Sequence, residues 1–264
     1  MTVGSGDQPV IVSRDGTTTV VTLNRPGAHN ALNKQVLNLV HAAIDDADTD
    51  LNCRAIVLTG TGVKAFCAGA DLREIERLTG RDAFDYMAAG QAVFNAIARA
   101  GTPVIAAVNG VALGGGFELV LASTFAVMSR NATLGLPEAG LGLIPGYGGT
   151  QRLPRAIGRQ SALHLMLTGS RMTADAAFTA GLCAVPPVAS NNLMDTALEM
   201  AHVIARQGPC AVRSILRAVN DGLDSPLGAG LALESSLAAH AVSSSESVEG
   251  IAAFGERRPP VFEP

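Results

Sequence analysis

The chain has 264 residues, 48% hydrophobic and 16% charged. That is enough for a packed core in one large domain, or one domain with a modest extension, and it excludes extended disorder. Lys and Arg total 19 against 23 Asp and Glu, a net charge of −4, and only 4% of residues are aromatic, with no Trp. A nucleic-acid partner is therefore not expected, since a polyanion needs a basic surface and stacked bases need aromatic rings.

The four cysteines, Cys53, Cys67, Cys183 and Cys210, contain no CxxC pair. A structural zinc site is not expected, and the thiols read as reduced, in a cytoplasm. Met1 to Pro9 holds an Asp and no basic apolar stretch, so a signal peptide is not expected.

Val10–Val12 and Thr17–Leu23 alternate around Asp15-Gly16, which predicts a β-hairpin. Asn30 or Asn33 can cap a helix reaching about Asp46, and Ala55–Leu58 reads as a strand. Phe66–Asp71, FCAGAD, is a small-residue loop; a helix follows from Leu72 and another from about Ala83 to Ala98. Pro103–Val108 is a strand, Gly114–Gly116 a turn, Phe117–Ala122 a short helix, and Phe125–Met128 and Thr133-Leu134 short strands. Leu136–Thr150 is a Gly/Pro-rich loop. Helices are then predicted at about 158–167, 173–180, 191–207, 209–221, 227–241 and 244–255, with one strand at Leu182–Val185 and an extended Pro-rich tail from Arg257. Alternating strands and helices followed by helices alone imply an α/β core with a helical C-terminal region. Helices that end a chain in this way often pack on a neighbouring subunit.

Val104–Met128 is a 25-residue apolar run whose only ionisable group is Glu118. Its length would suit a membrane span. The carboxylate, the three glycines in its middle and the absence of strongly basic flanks favour a buried strand, turn, helix and strand instead.

No P-loop, dinucleotide fingerprint, HExxH or GxSxG is present, and the five histidines stand singly. Polar chemistry is left to carboxylates and main-chain amides. Glu118 follows GGGF and precedes LVLA, and a lone buried carboxylate costs several kcal/mol (order of magnitude) unless it is paired or protonated. Glu138, in GLPEAGLGLIPGYGG, is also set among apolar and glycine residues. Two such carboxylates flanking one pocket can share a water, one taking its proton and the other delivering a proton to substrate. Each, taken alone, is equally an ordinary capping or loop glutamate. Gly114-Gly115-Gly116 and Ala68-Gly69-Ala70 each bare main-chain N–H groups beside a helix start, where anions are favoured. Amides from the two loops can together form an oxyanion hole, although either loop alone is more often a tight turn.

With these residues in place, the chain resembles the crotonase (enoyl-CoA hydratase/isomerase) superfamily, and within it the enoyl-CoA hydratases. The matching stretches are LNRPGAHNALN (23–33), IVLTGTGVKAFCAGADL (56–72), PVIAAVNGVALGGGFEL (103–119), LGLPEAGLGLIPGYGGTQRLPR (134–155), LTGSRMTADAAFTAGL (167–182) and FGERRPPVF (254–262), in family order over nearly the whole chain. The resemblance implies an α/β fold, a crotonase-like spiral of ββα units over residues 1–190, with a helical oligomerisation region over 191–264 that forms a homotrimer or a hexamer. It implies an acyl-CoA thioester substrate and addition of water across a trans-2-enoyl-CoA to give 3-hydroxyacyl-CoA, a hydro-lyase reaction of fatty acid metabolism. The oxyanion-hole amides would be those of Ala70 and Gly115, the catalytic pair Glu118 and Glu138, and the water-positioning N–H that of Gly146. Ala68, Ala70, Asp71, Leu72, Arg73 and Gly115 would touch substrate and CoA. Asn30, Ala31 and Leu32 match a stretch near the CoA path, with helix capping and packing an equal account of them. No metal or redox cofactor is expected; coenzyme A enters as part of the substrate.

The chain departs from many relatives at Arg73, where Lys is common, and at Ser123-Thr124, where Cys-Asp is common. Arg keeps the cation and can grip phosphate in a fork. The alternatives are a double-bond isomerase, another CoA dehydratase or lyase on a specialised acyl-CoA, and a non-catalytic acyl-CoA-binding or RNA-binding relative.

Overall fold

The structure, a computed structural model, describes residues 8–263. Most of the segment in which a signal peptide is not expected therefore lies outside the described residues. Strands β1 (Val10–Asp15) and β2 (Thr18–Leu23) form the expected hairpin, turning at Gly16 with φ of 54°. Helix α1 (Lys34–Thr49) is capped by Asn33, whose side chain accepts the Val36 N–H at 2.9 Å. That resolves the choice between the two asparagines, because Asn30 is buried elsewhere. Its amide donates to the Thr61 and Ala65 carbonyls and its Oδ1 accepts the Arg25 N–H.

Strands β3 (Ala55–Gly60) and β4 (Ala65–Cys67) precede helices α2 (Leu72–Ile75) and α3 (Gly80–Arg99). Strands β5 (Val104–Val108) and β6 (Val111–Leu113) precede α4 (Gly115–Ala122). Strands β7 (Phe125–Met128) and β8 (Thr133–Gly135) precede α5 (Gly149–Ile157) and α6 (Arg159–Thr168). Each ββα turn thus adds one strand to each of two sheets, in orders β1-β2-β3-β5-β7 and β4-β6-β8-β9, where β9 is Met172–Thr173. The pairings β2–β3, β3–β5, β5–β7, β4–β6 and β6–β8 are all parallel, so the chain advances as a spiral.

Every residue of β3 and β5 is buried, as a parallel sheet covered on both faces requires. Ile56, Leu58, Val104, Ala106 and Val108 face the main core with residues of α1 and α3. Ala55, Val57, Ile105 and Ala107 face Leu193, Ala197 and Ala201 of α8 (Leu193–Ala205), after the short α7 (Ala174–Thr179). Among the described residues no helix is long and apolar enough to cross a membrane. The apolar run at 104–128 is β5, β6, α4 and β7.

Three sequence expectations are corrected. Leu182–Val185 is not a strand: a single main-chain bond joins it to β7, Ala184 N–H to the Ala126 carbonyl at 3.0 Å, and beyond both segments an isolated bridge pairs Val188 with Ser129. Pro186 and Pro187 lack the donors that would continue a ladder. Gly115 and Gly116 lie inside α4 rather than in a turn before it. The loop expected to run to Thr150 ends at Gly148, because α5 starts at Gly149 despite carrying Pro154. Strands β4 and β6, at three residues each, are too short to leave a local pattern in the sequence.

The chain closes with α9 (Pro209–Leu223), α10 (Leu227–Val242) and α11 (Ser245–Glu256). Arg257, at φ of 55°, ends α11. Beyond it, Arg258 pairs with Glu249, and Arg54 donates to the carbonyls of Phe262 and Glu263. All four cysteines are free.

Candidate active site

Helix α4 reads GGFELVLA and is buried almost all round, with Glu118 only 1% exposed. It can lie so deep because its first two residues carry no side chains. A Cβ on Gly116 would sit 2.0 Å from the Cys67 carbonyl oxygen of β4. Gly114 turns the chain into the helix at φ of 51°, where L side chains are strained. Gly115 is the first helical residue, so its N–H has no intrahelical acceptor.

The second amide comes from the loop between β4 and α2. Leu32 brackets Ala70 there: Leu32 N–H donates to the Gly69 carbonyl and Asp71 N–H donates to the Leu32 carbonyl, each at 2.8 Å. Parallel pairing of this kind turns the Ala70 N–H away from Leu32. Among the described residues neither the Ala70 nor the Gly115 N–H donates to another main-chain group. The two loops touch, since a Cβ on Gly69 would lie 3.5 Å from the Gly115 nitrogen.

Arg25, which the sequence shows only inside the stretch LNRPGAHNALN, ties this loop down. Its guanidinium donates to the Ala31 carbonyl at 2.7 Å and pairs with Asp71 at 3.0 Å. Asp71 in turn accepts the Arg73 N–H as the cap of α2.

Glu118 is held from the far side. Its Oε1 accepts the Tyr147 N–H at 2.8 Å and the Gly149 N–H at 2.7 Å. Gly149 is the first residue of α5, so the carboxylate sits on that helix's positive end. Burial pushes Glu118 above the ordinary carboxylate range, and the two N–H bonds and the Arg152 charge pull it back. Glu138 is half-buried at the start of a short 3-10 helix, Glu138–Leu141. Burial pushes its carboxyl up to about 7; its own N–H offsets part of this and the Glu118 charge adds to it. Among the described residues its buried Oε2 has no partner, while Oε1 would be 2.9 Å from a Cβ on Gly114. Burial thus raises both glutamates, and they differ in their partners: Glu118 is held by two N–H groups and an arginine charge, whereas Glu138 keeps an oxygen without a partner among the described residues.

Both glutamates line one cavity of about 460 Å³, together with Ala68, Gly69, Ala70, Asp71, Leu72, Arg73, Gly115 and Gly146. All the residues singled out in the sequence for catalysis and for substrate contact therefore surround the same space. Leu72 and Arg73 are exposed at its edge, beside His29, a loop histidine that stands alone in the sequence. Of the stretch Asn30, Ala31 and Leu32, only Ala31 lines it; Asn30 and Leu32 are buried in the packing. Tyr147 and Met87 also line it and carry no sequence signal, because nothing local marks a side chain that packs across three elements. Beneath α4, the Val104 N–H donates to Thr124 Oγ1 at 2.9 Å, so Thr124 supplies an acceptor at its departure from the common pattern.

Known proteins resemble this chain over nearly its whole length. Residues 13–264 match the family model for enoyl-CoA hydratase/isomerase. YngF of Bacillus subtilis, a protein named for enoyl-CoA hydratase/isomerase, is 42% identical over 257 residues, covering 97% of this chain and 98% of its own. The short-chain-enoyl-CoA hydratase of Clostridium acetobutylicum is 39% identical over 249 residues, covering 94% and 95%. The crystal structure of an enoyl-CoA hydratase from Bacillus anthracis superposes with a TM-score of 0.93 at 37% identity, covering 97% of this chain and 99% of that one.

Proposed function

The chain belongs to the enoyl-CoA hydratase/isomerase family, and on that premise we propose that it adds water across the trans-2 double bond of an enoyl-CoA to give a 3-hydroxyacyl-CoA. The observation that carries this reading is one cavity lined both by two unlike carboxyl groups and by two free main-chain N–H groups. The N–H groups of Ala70 and Gly115 bind the thioester oxygen. Glu118 takes a proton from water as its oxygen bonds to C3, and the electron pair of the double bond moves onto the thioester as an enolate. Glu138 gives its proton to C2 as the enolate collapses. Water has then been added, and the proton gained by Glu118 returns to Glu138 by exchange with solvent. The N–H of Gly146 positions the water, and Ala68, Asp71, Leu72 and Arg73 hold the CoA end. The acyl-CoA itself supplies the activating group, so the reaction calls for no metal or redox cofactor.

The reading is tested by following loss of the enoyl thioester absorbance with crotonyl-CoA. Glu118→Gln and Glu138→Gln are each expected to lower kcat by about 10²–10⁴-fold with the fold intact. In Glu118→Gln the side-chain amide oxygen can still accept both N–H groups. Full turnover by either variant, or a product that is a shifted alkene rather than a 3-hydroxyacyl-CoA, would overturn it.

The same reading takes residues 191–264 as a self-associating region that makes a trimer or a dimer of trimers. Ile215, Leu223 and Phe254 are 62%, 79% and 88% exposed there. Such apolar surface is unusual on a monomer. Four unpaired thiols suit the reducing cytoplasm.

A further inference from the structure

We propose that Tyr147 is a fixed stop at the end of the acyl site, so that the chain accepts short enoyl groups, of crotonyl to hexenoyl size, and rejects long ones; this rests on the hydratase reading and names its substrate class. The cavity is open beside Ala68, Leu72 and Arg73, and also beside Leu141 and Ile144, all of them solvent-exposed. On the side of α3 it is closed by Met87, Gly146 and Tyr147.

Tyr147 is 3% exposed and its ring has nowhere to retreat. It stacks on Phe94 of α3 with centroids 4.9 Å apart. A Cβ on Gly90, also in α3, would lie 2.1 Å from its Cε1, so the ring fills a hollow that only glycine leaves open. Its other edge meets α4, where a Cβ on Gly115 would be 3.3 Å from Cδ2. Its main chain is pinned at both ends: the N–H donates to Glu118 and the carbonyl accepts from Arg152 at 2.9 Å.

The ring therefore bridges α3 and the oxyanion glycine, one step from the carboxylate that activates water. Met87 differs, because an unbranched thioether can swing aside. Its Sδ would be 2.8 Å from a Cβ on Gly146, a contact that a rotamer change relieves. The length limit accordingly belongs to Tyr147. Its hydroxyl is buried beside that of Tyr86, and the ring's bulk defines the wall.

The test measures Kd for butyryl-, hexanoyl- and decanoyl-CoA by calorimetry, and kcat/KM for the matching enoyl-CoAs. It compares the wild type with Tyr147→Phe, Tyr147→Leu and Tyr147→Ala, each checked for folding by circular dichroism. The wild type is expected to bind decanoyl-CoA at least about tenfold more weakly than butyryl-CoA, and Tyr147→Leu or Tyr147→Ala to erase that difference. Tyr147→Phe should keep it. Equal binding of short and long chains by the wild type would overturn the proposal, as would a length profile unchanged in both truncated variants. A Phe variant whose length limit is lost as in Tyr147→Ala would overturn it too. The saturated thioesters report length selection without turnover. Failure of the hydratase reading would appear separately, as selective binding with no hydration.

Discussion

Glu118 and Glu138 are the same side chain in different surroundings, and the difference sets the expected pH behaviour. A carboxyl pushed up to about 7 keeps its proton below neutrality and loses it above. Since the proposed reaction delivers that proton to C2, kcat/KM should fall as pH rises through about 7. The titration belongs to the coupled pair, so Glu118→Gln should shift Glu138 downward by removing the neighbouring charge, which carboxyl NMR would read. Stability follows the same sign. A folded value raised from 4.5 to about 7 means that the contribution of Glu138 to stability is fully present below 4.5 and lost as pH rises through 7. Glu138→Gln should therefore melt above the wild type at pH 8 and converge with it below pH 4.5; a melting difference independent of pH would contradict this. Arg25 is a positioning residue, holding Ala31 and Asp71 on either side of the Ala70 loop. Arg25→Ala should lower kcat by about 10²-fold, as small misplacements do, with little change in KM and partial rescue by Lys. A change confined to KM would assign Arg25 to binding instead.

At the scale of elements, the site depends on how closely α4 approaches β4. Gly116→Ala puts a Cβ 2.0 Å from a main-chain oxygen that cannot move without shifting the strand. It should cost about 1–3 kcal/mol of stability by overpacking, and it should lower activity by displacing Gly115 and Glu118 together. Gly140, which has nothing within 4 Å of its Cβ position and no positive φ, is the control. Gly140→Ala should change stability by no more than about 0.5 kcal/mol in chemical denaturation. Helix α5 matters in the same way: its first N–H is one of the two that hold Glu118. Pro154 and the Gly148-Gly149 pair hide that helix from any local reading, since both residue types argue against a helix. In the fold its start is anchored on a buried carboxylate.

For the whole molecule, the spiral leaves its last three helices with apolar side chains facing outward. Sedimentation should give a mass of three or six times 27.0 kDa. A pair of substitutions, Leu223→Asp and Phe254→Asp, should reduce it toward the monomer. A wild-type monomer at micromolar concentration would remove the role proposed for residues 191–264.

The strands of the core are legible in the sequence because β5 and the first four residues of β3 are unbroken apolar runs, and burial on both faces leaves that mark in a short window. The glycines at 114–116 and a glutamate inside an apolar run mark the site for the same reason: each is costly without a special environment. Only the tertiary structure decided that Asn33 caps α1 while Asn30 braces a loop, and that Arg25 reaches Asp71. It also decided that Tyr147 lies in the hollow at Gly90. Apart from the Asn33 cap, these contacts join residues dozens of positions apart. Local periodicity records which face of an element is buried, and it carries no information about which distant side chain will be found there.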